Sequence, residues 1–149
     1  MAINRDCLGK IYPPTEPYEV SREKLREFAD AIGEHNPVYR SRDAAIAAGF
    51  PDVIGSPTFA IVITMAGNDQ VFADPEVNLD FTQVVHGDQR FVYSRPLQAG
   101  DVVTTEVRIS DIKQLGRNSM LSTETEIRTV DGEHVVTAYS MIVERGVAQ

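Results

Sequence analysis

Ser56-Pro57-Thr58-Phe59-Ala60-Ile61-Val62-Ile63-Thr64-Met65-Ala66 is the stretch on which the fold turns. Ser56 is an N-cap residue type, and Pro57 suits the first helical position, where a missing N–H costs nothing. The residues that follow leave almost no polar face, since Phe59, Ala60, Ile61, Val62, Ile63, Met65 and Ala66 occupy nearly every side of a 3.6-residue period. A helix of this kind is expected to be surrounded by protein on nearly every side, so other elements must wrap it. The apolar run from Ala60 to Ala66 is far too short to cross a bilayer, and the N-terminus shows no hydrophobic leader. We therefore expect no membrane partner.

The wrapping elements lie downstream. Residues 84–93, 102–115, 119–130 and 134–143 are rich in β-branched and aromatic side chains, and turn signals separate them at Ala99-Gly100-Asp101, Gly116-Arg117-Asn118 and Asp131-Gly132. An antiparallel meander reversing at those three points is expected. Upstream, Tyr18 to Val20 reads as a short strand and Ser21 as the cap of a helix. Leu25, Phe28, Ala29 and Ile32 of that helix fall at i, i+3, i+4 and i+7, and Gly33 ends it. A second short helix runs from about Arg42 to Ala48 and closes at Gly49. A helical first half followed by a strand-rich second half gives an α+β class, with one apolar helix enclosed by a long antiparallel sheet. Such a sheet ends in an exposed edge, and pairing two copies would cover it.

Composition narrows the function. The 149 residues suit one domain over 1–149, with 42% hydrophobic and 24% charged residues. A formal net charge of -8 without a dense basic stripe argues against a nucleic acid partner. The one cysteine, Cys7, has no internal disulfide partner, and a cytoplasmic location is the simplest setting for it. The three histidines, His35, His86 and His134, show no metal-ligand spacing, so no metal or cofactor is expected.

The segment Phe28-Ala29-Asp30-Ala31-Ile32-Gly33-Glu34-His35-Asn36-Pro37-Val38-Tyr39 resembles the G-D-x-N-P-x-H motif of the MaoC-like dehydratases, the (R)-specific enoyl-thioester hydratases. The likeness continues through Ala44 to Gly49-Phe50, the Ser56-Pro57-Thr58-Phe59 helix start, His86-Gly87-Asp88-Gln89-Arg90-Phe91, Arg95-Pro96-Leu97 and Ala99-Gly100-Asp101. It implies a hot-dog fold and is strongest to the N-terminal halves of double-hot-dog hydratases and to subunits of bacterial (3R)-hydroxyacyl-carrier-protein dehydratases. In those proteins this half helps hold the acyl chain, and the partner half supplies the chemistry. The activity implied is that of a lyase of fatty acid metabolism acting on thioesters of coenzyme A or an acyl carrier protein.

Hydration of a 2-enoyl thioester needs a proton shuttle, a positioned water and donors for the thioester oxygen. Carried over by resemblance, the family's Asp falls on Glu34 and its His on Tyr39. Glutamate keeps a carboxylate but extends it by one methylene. Tyrosine, with an ordinary pKa of about 10, donates a hydrogen bond but makes a poor base near neutrality. His86, beside the permissive Gly87, is the alternative acid or base. Where catalytic members begin the central helix with His-Gly, this chain has Gly55-Ser56-Pro57-Thr58. Proline removes one donor and leaves the N–H groups of Thr58 and Phe59 at the helix start. Asn36, Gly55, Thr58, Phe59 and Ile63 are the candidate substrate-binding residues, with Met65 and Phe72 as further lining of an acyl slot. Arg40, Arg42, Arg90 and Arg95 are candidates for phosphate or carrier contact, set against ordinary surface ion pairs.

Four functions follow from these features. One is a subunit that binds the acyl chain while a hot-dog partner supplies Asp and His. Another is a self-sufficient hydratase homodimer using Glu34, with or without His86. The remaining two are a thioester-binding module without chemistry and a thioesterase.

Overall fold

The computed structural model describes residues 2–146. Strand β1 is Tyr18–Glu19, followed by helices α1 (Arg22–Ala31), α2 (Arg42–Ala47) and α3 (Ala60–Ala73). Strands β2 (Val84–Tyr93), β3 (Val102–Leu115), β4 (Asn118–Thr129) and β5 (His134–Glu144) complete the order. The class is α+β, a curled antiparallel sheet against a central helix, as the sequence leads one to expect.

Local signals set most of these elements. The Ser21 hydroxyl accepts from the Lys24 N–H at 3.2 Å and starts α1, and the Ser41 hydroxyl does the same for Ala44 at 3.2 Å and starts α2. Along β4 the buried positions Ser119, Leu121, Thr123, Thr125 and Ile127 recur with period two, the signature of a strand with one face inward. Those faces and α3 build two core clusters. One gathers Leu25, Val53, Phe59, Ile63, Val103 and Ile127 around the start of α3, and the other gathers Cys7, Tyr12, Val71, Val107, Leu121 and Ile142 around its end.

Three sequence expectations need correction. First, the sheet order is β1-β3-β4-β5-β2, so only β3, β4 and β5 form the meander. Ala99-Gly100-Asp101 does not turn β2 back onto β3. The chain instead crosses to the far side of the sheet, where the Val20 N–H donates to the Asp101 carbonyl and the Gly100 N–H to the Val20 carbonyl, both at 2.8 Å. A local turn signal reports that the chain bends and carries no information about which strand it meets next.

Second, α3 begins at Ala60. Its capping position is Phe59, in helical conformation and without a side-chain cap. Ser56 is no cap; its hydroxyl is buried with no partner among the described residues, and residues 57–59 form an irregular turn.

Third, the sheet covers one side of α3 only. Ile63, Thr64, Gly67, Asn68 and Val71 are buried, whereas Met65 is 57% exposed and Ile61, Val62 and Phe72 are half-buried. Five strands curl into half a barrel and cannot enclose the rod. The helix lies close to the sheet at Gly67, where an added Cβ would come within 3.0 Å of the Thr105 hydroxyl.

Candidate functional site

The motif loop is held together by its own polar groups. Gly33 ends α1 with φ of 71°, the left-handed conformation that glycine adopts without strain. The Glu34 carboxylate then accepts the Asn36 N–H at 2.9 Å, and the Asn36 side-chain oxygen accepts the Val38 N–H at 3.2 Å. Pro37 opens the 3₁₀ turn Pro37–Tyr39. Arg40 reaches back to the Asp30 carboxylate and the Glu34 carbonyl. Glu34 and Asn36 are thereby committed to shaping the loop, and Tyr39 at its end is turned into a groove.

That groove, of about 380 Å³, sits at the start of α3 and is lined by Tyr39, Ile54, Gly55, Pro57, Tyr93, Ser94, Arg95 and Pro96. The Tyr93 hydroxyl donates to the Pro57 carbonyl at 2.7 Å, so a strand side chain pins the turn that leads into α3. Burial pushes its pKa up to about 12, with the Ala60 N–H pulling weakly the other way. Of the two helix-start donors read from the sequence, the Phe59 N–H is already spent on the Ser56 carbonyl at 2.9 Å, and Thr58 is exposed. The Gly55 N–H is likewise spent, on the Leu97 carbonyl at 2.7 Å.

A second cleft, of about 360 Å³, runs along the open side of α3. Ile61, Met65, Asn68, Asp69 and Phe72 form one wall, while Phe81, Val84, His86, Gln89, Ser140 and Ile142 form the other. Its geometry depends on a bulge: the β2–β5 register slips between His86 and Asp88, with Gly87 as the extra residue. In a regular strand residues 86 and 89 would face opposite ways. The bulge flips the parity and aims both at the cleft. Gly87 fits there because an added Cβ would lie 2.8 Å from the Met141 sulfur. His86 Nε2 lies 3.4 Å from the Ser140 hydroxyl. Both polar atoms of the Gln89 amide are buried and have no partner among the described residues.

The structure thus separates the residues singled out in the sequence. Tyr39 and Gly55 share the groove at the helix start, His86 lies in the other cleft, and Glu34 lines neither. Phe59 and Ile63 are 0% and 3% exposed and belong to the core, with the Phe59 ring edge-on to Phe28 at 5.4 Å; Met65 and Phe72 line the cleft instead. Arg95 is saturated by carboxylates, pairing with both oxygens of Asp101 at 2.9 Å and with Glu133 at 2.8 Å. Arg40 and Arg42 also face carboxylates, whereas Arg90 stacks on the Tyr139 ring at 4.2 Å and has no carboxylate partner among the described residues. His134 bonds the Ser94 hydroxyl at 2.5 Å and the Thr137 hydroxyl at 2.7 Å, tying the end of β2 to β5.

Among the described residues no three His, Cys, Asp or Glu side chains gather into a metal-holding group, and no helix is long and apolar enough to cross a membrane. Sequence reasoning missed Tyr93, Gln89 and Asn68. Only Gly87 gave a signal, as a glycine inside a strand pattern, and that signal marks a bulge without saying which side chains it redirects.

The sequence profile described as FAS1-like, dehydratase domain region, matches residues 8–138. The chain belongs to this dehydratase-region family. A UPF0336 protein of Thermobifida fusca is 61% identical over 146 residues, covering 98% of this chain and 96% of that protein. One chain of the C-terminally truncated HadBC (3R-hydroxyacyl-ACP dehydratase) complex of Mycobacterium tuberculosis superposes with a TM-score of 0.83 at 28% identity, covering 95% of this chain and 99% of that one. A MaoC-like dehydratase superposes with a TM-score of 0.86 at 25% identity, and the match covers 95% of this chain but 43% of that chain. The fold of this FAS1-like dehydratase-family chain is therefore the MaoC-like hot-dog, with its groove at the start of the hot-dog helix and its cleft along the helix's open side.

Proposed function

We propose that this chain, one hot-dog domain over residues 1–149, is the acyl-binding subunit of a (3R)-hydroxyacyl-thioester dehydratase, acting with a hot-dog partner that supplies the catalytic Asp and His. The observation that carries the reading is the state of the motif. Glu34 stands where the family has Asp, yet its carboxylate holds the Asn36 N–H of its own loop, and Tyr39 stands where the family has His. The motif positions thus lack the family's Asp and His, while an apolar cleft lies open along α3. In dehydration the partner's pair would take the C2 proton and return one to the departing 3-hydroxyl, leaving the C2–C3 double bond and water.

The open flank of α3 and the β2 edge support a partnered state. An unpaired edge strand beside a half-covered apolar helix is a surface that folded proteins cover, and the HadBC match is to a chain of a complex. The (3R)-hydroxyacyl thioester, carried by coenzyme A or an acyl carrier protein, would extend its chain between Met65, Phe72 and Phe81, with His86 and Tyr39 as contacts rather than as the proton shuttle. Of the four candidate arginines, Arg90 has no carboxylate partner among the described residues and would meet a carrier phosphate. Cytoplasmic location and the absence of a cofactor belong to the same reading.

Co-expression with a related subunit bearing the intact Asp and His tests it. The pair is expected to hydrate enoyl-coenzyme A, Glu34→Gln in this chain should leave kcat within about twofold, and removing the partner's His should abolish turnover. A pure homodimer with full activity that Glu34→Gln destroys would instead identify a self-sufficient hydratase.

A further inference from the structure

Gln89 is the one polar side chain of the α3 cleft whose buried hydrogen-bonding atoms are both without a partner among the described residues. Around it the cleft is apolar, lined by Ile61, Met65, Phe72, Phe81, Val84 and Ile142. Leaving a buried donor and acceptor unmatched is costly, and a saturated alkyl chain lying against the amide would make that cost permanent by excluding water. The bulge at Gly87 nevertheless brings Gln89 to the same cleft as His86.

From this arrangement we infer that Gln89 is a specificity-determining residue that receives a hydroxyl group on the bound acyl chain, so that the cleft selects hydroxyacyl over saturated acyl thioesters. The inference rests on the proposed role as an acyl-binding subunit. A hydroxyl offers a donor and an acceptor on one atom, and can accept from Nε2 while donating to Oε1 of the same planar amide. A carboxylate offers no donor and would enter a cleft that already holds Asp69. A trans secondary amide directs its N–H and C=O in opposite directions and serves only one of the two atoms. His86 and Ser140, bonded to each other at 3.4 Å on the same wall, add a second polar contact beside it. Sites that hydrogen-bond a substrate hydroxyl discriminate strongly against analogues lacking it, because the analogue strands the site's own polar groups.

The test is isothermal titration of the 149-residue chain with (3R)-hydroxydecanoyl-coenzyme A, decanoyl-coenzyme A and the 3-methoxy analogue, repeated with Gln89→Met. The hydroxy compound is expected to bind at least roughly tenfold more tightly than the saturated one. The methoxy compound, which keeps the acceptor but lacks the donor, should bind less tightly than the hydroxy compound. In Gln89→Met the hydroxy preference should fall to about one, with the melting temperature unchanged or raised because an unmatched buried amide has been removed. Equal binding of hydroxy and saturated compounds to the wild-type chain, or a preference that survives Gln89→Met, overturns the inference and leaves the acyl-binding role standing. A Gln89→Met chain that loses self-association while ligand preference is unchanged overturns it too, assigning the amide to a subunit contact. No binding of any of the three compounds removes the acyl-binding reading itself. The three-compound comparison on the wild-type chain remains decisive even if the variant misfolds.

Discussion

Replacing Tyr93 by Phe removes one oxygen and leaves the ring where it is, tilted against Phe91 at 6.3 Å between centroids. That oxygen donates to the Pro57 carbonyl at 2.7 Å, in the turn that leads into α3. No side chain caps the helix in sequence, since Phe59 holds the capping position. The variant therefore leaves the Pro57 carbonyl without its Tyr93 donor and unpins the turn before α3. The net contribution of such a hydrogen bond is about 0.5–1.5 kcal/mol. With a urea m-value of about 2 kcal/mol/M for a chain of this size, a loss of about 1 kcal/mol lowers the midpoint by about 0.5 M at unchanged m. Equilibrium urea unfolding followed by far-UV circular dichroism is the assay. A midpoint within about 0.1 M of wild type would show that the irregular turn at residues 57–59 holds equally well without Tyr93, and the reasoning would be wrong.

Three further outcomes follow from the same geometry. Phe59→Ala empties a fully buried site and its edge-on contact with Phe28, so thermal or chemical unfolding should register a loss of about 3–5 kcal/mol; a loss below 1 kcal/mol would mean Phe59 is not core. Asp52 is paired with Arg22 at 2.7 Å, and that pairing holds its carboxyl down at about 2, below the ordinary 3.8. The folded state thus favours the ionised form: the stabilisation is complete above about pH 4 and is lost as pH falls toward 2. Melting temperatures from pH 5 to pH 2 should fall more steeply for wild type than for Asp52→Asn, and parallel curves would contradict the pairing. Gly87→Ala forces the Met141 side chain aside, at a cost of about 1 kcal/mol. In a double-mutant cycle Met141→Ala should relieve that strain, and strict additivity would mean the two residues do not touch.

Much of the fold was legible because its signals are local. Ser21 and Ser41 announce helix starts through oxygens that reach amides three residues on, Gly33 announces a helix end, and period-two burial along residues 119–127 announces a strand with one inner face. The candidate site was less legible. Glu34 and Tyr39 mark the departure from the family motif, but their separation from His86 depends on strands β2 and β5 lying side by side at the far end of the sheet from β1. Gln89 was hidden by parity: alternation places it on the face opposite His86, and only the one-residue slip at Gly87 brings the two together.

What the sequence by itself determined is the apolarity of residues 59–66, the capping and turn residues, and the altered motif, all properties of neighbours within a few positions along the chain. What only the tertiary structure decided is which strands pair, what pins the turn before α3 and how much of α3 is left open. Those depend on groups separated by tens of residues, such as Tyr93 with Pro57 and β2 with β5. No local pattern encodes a contact whose two halves are specified independently and meet only when the sheet folds against the helix.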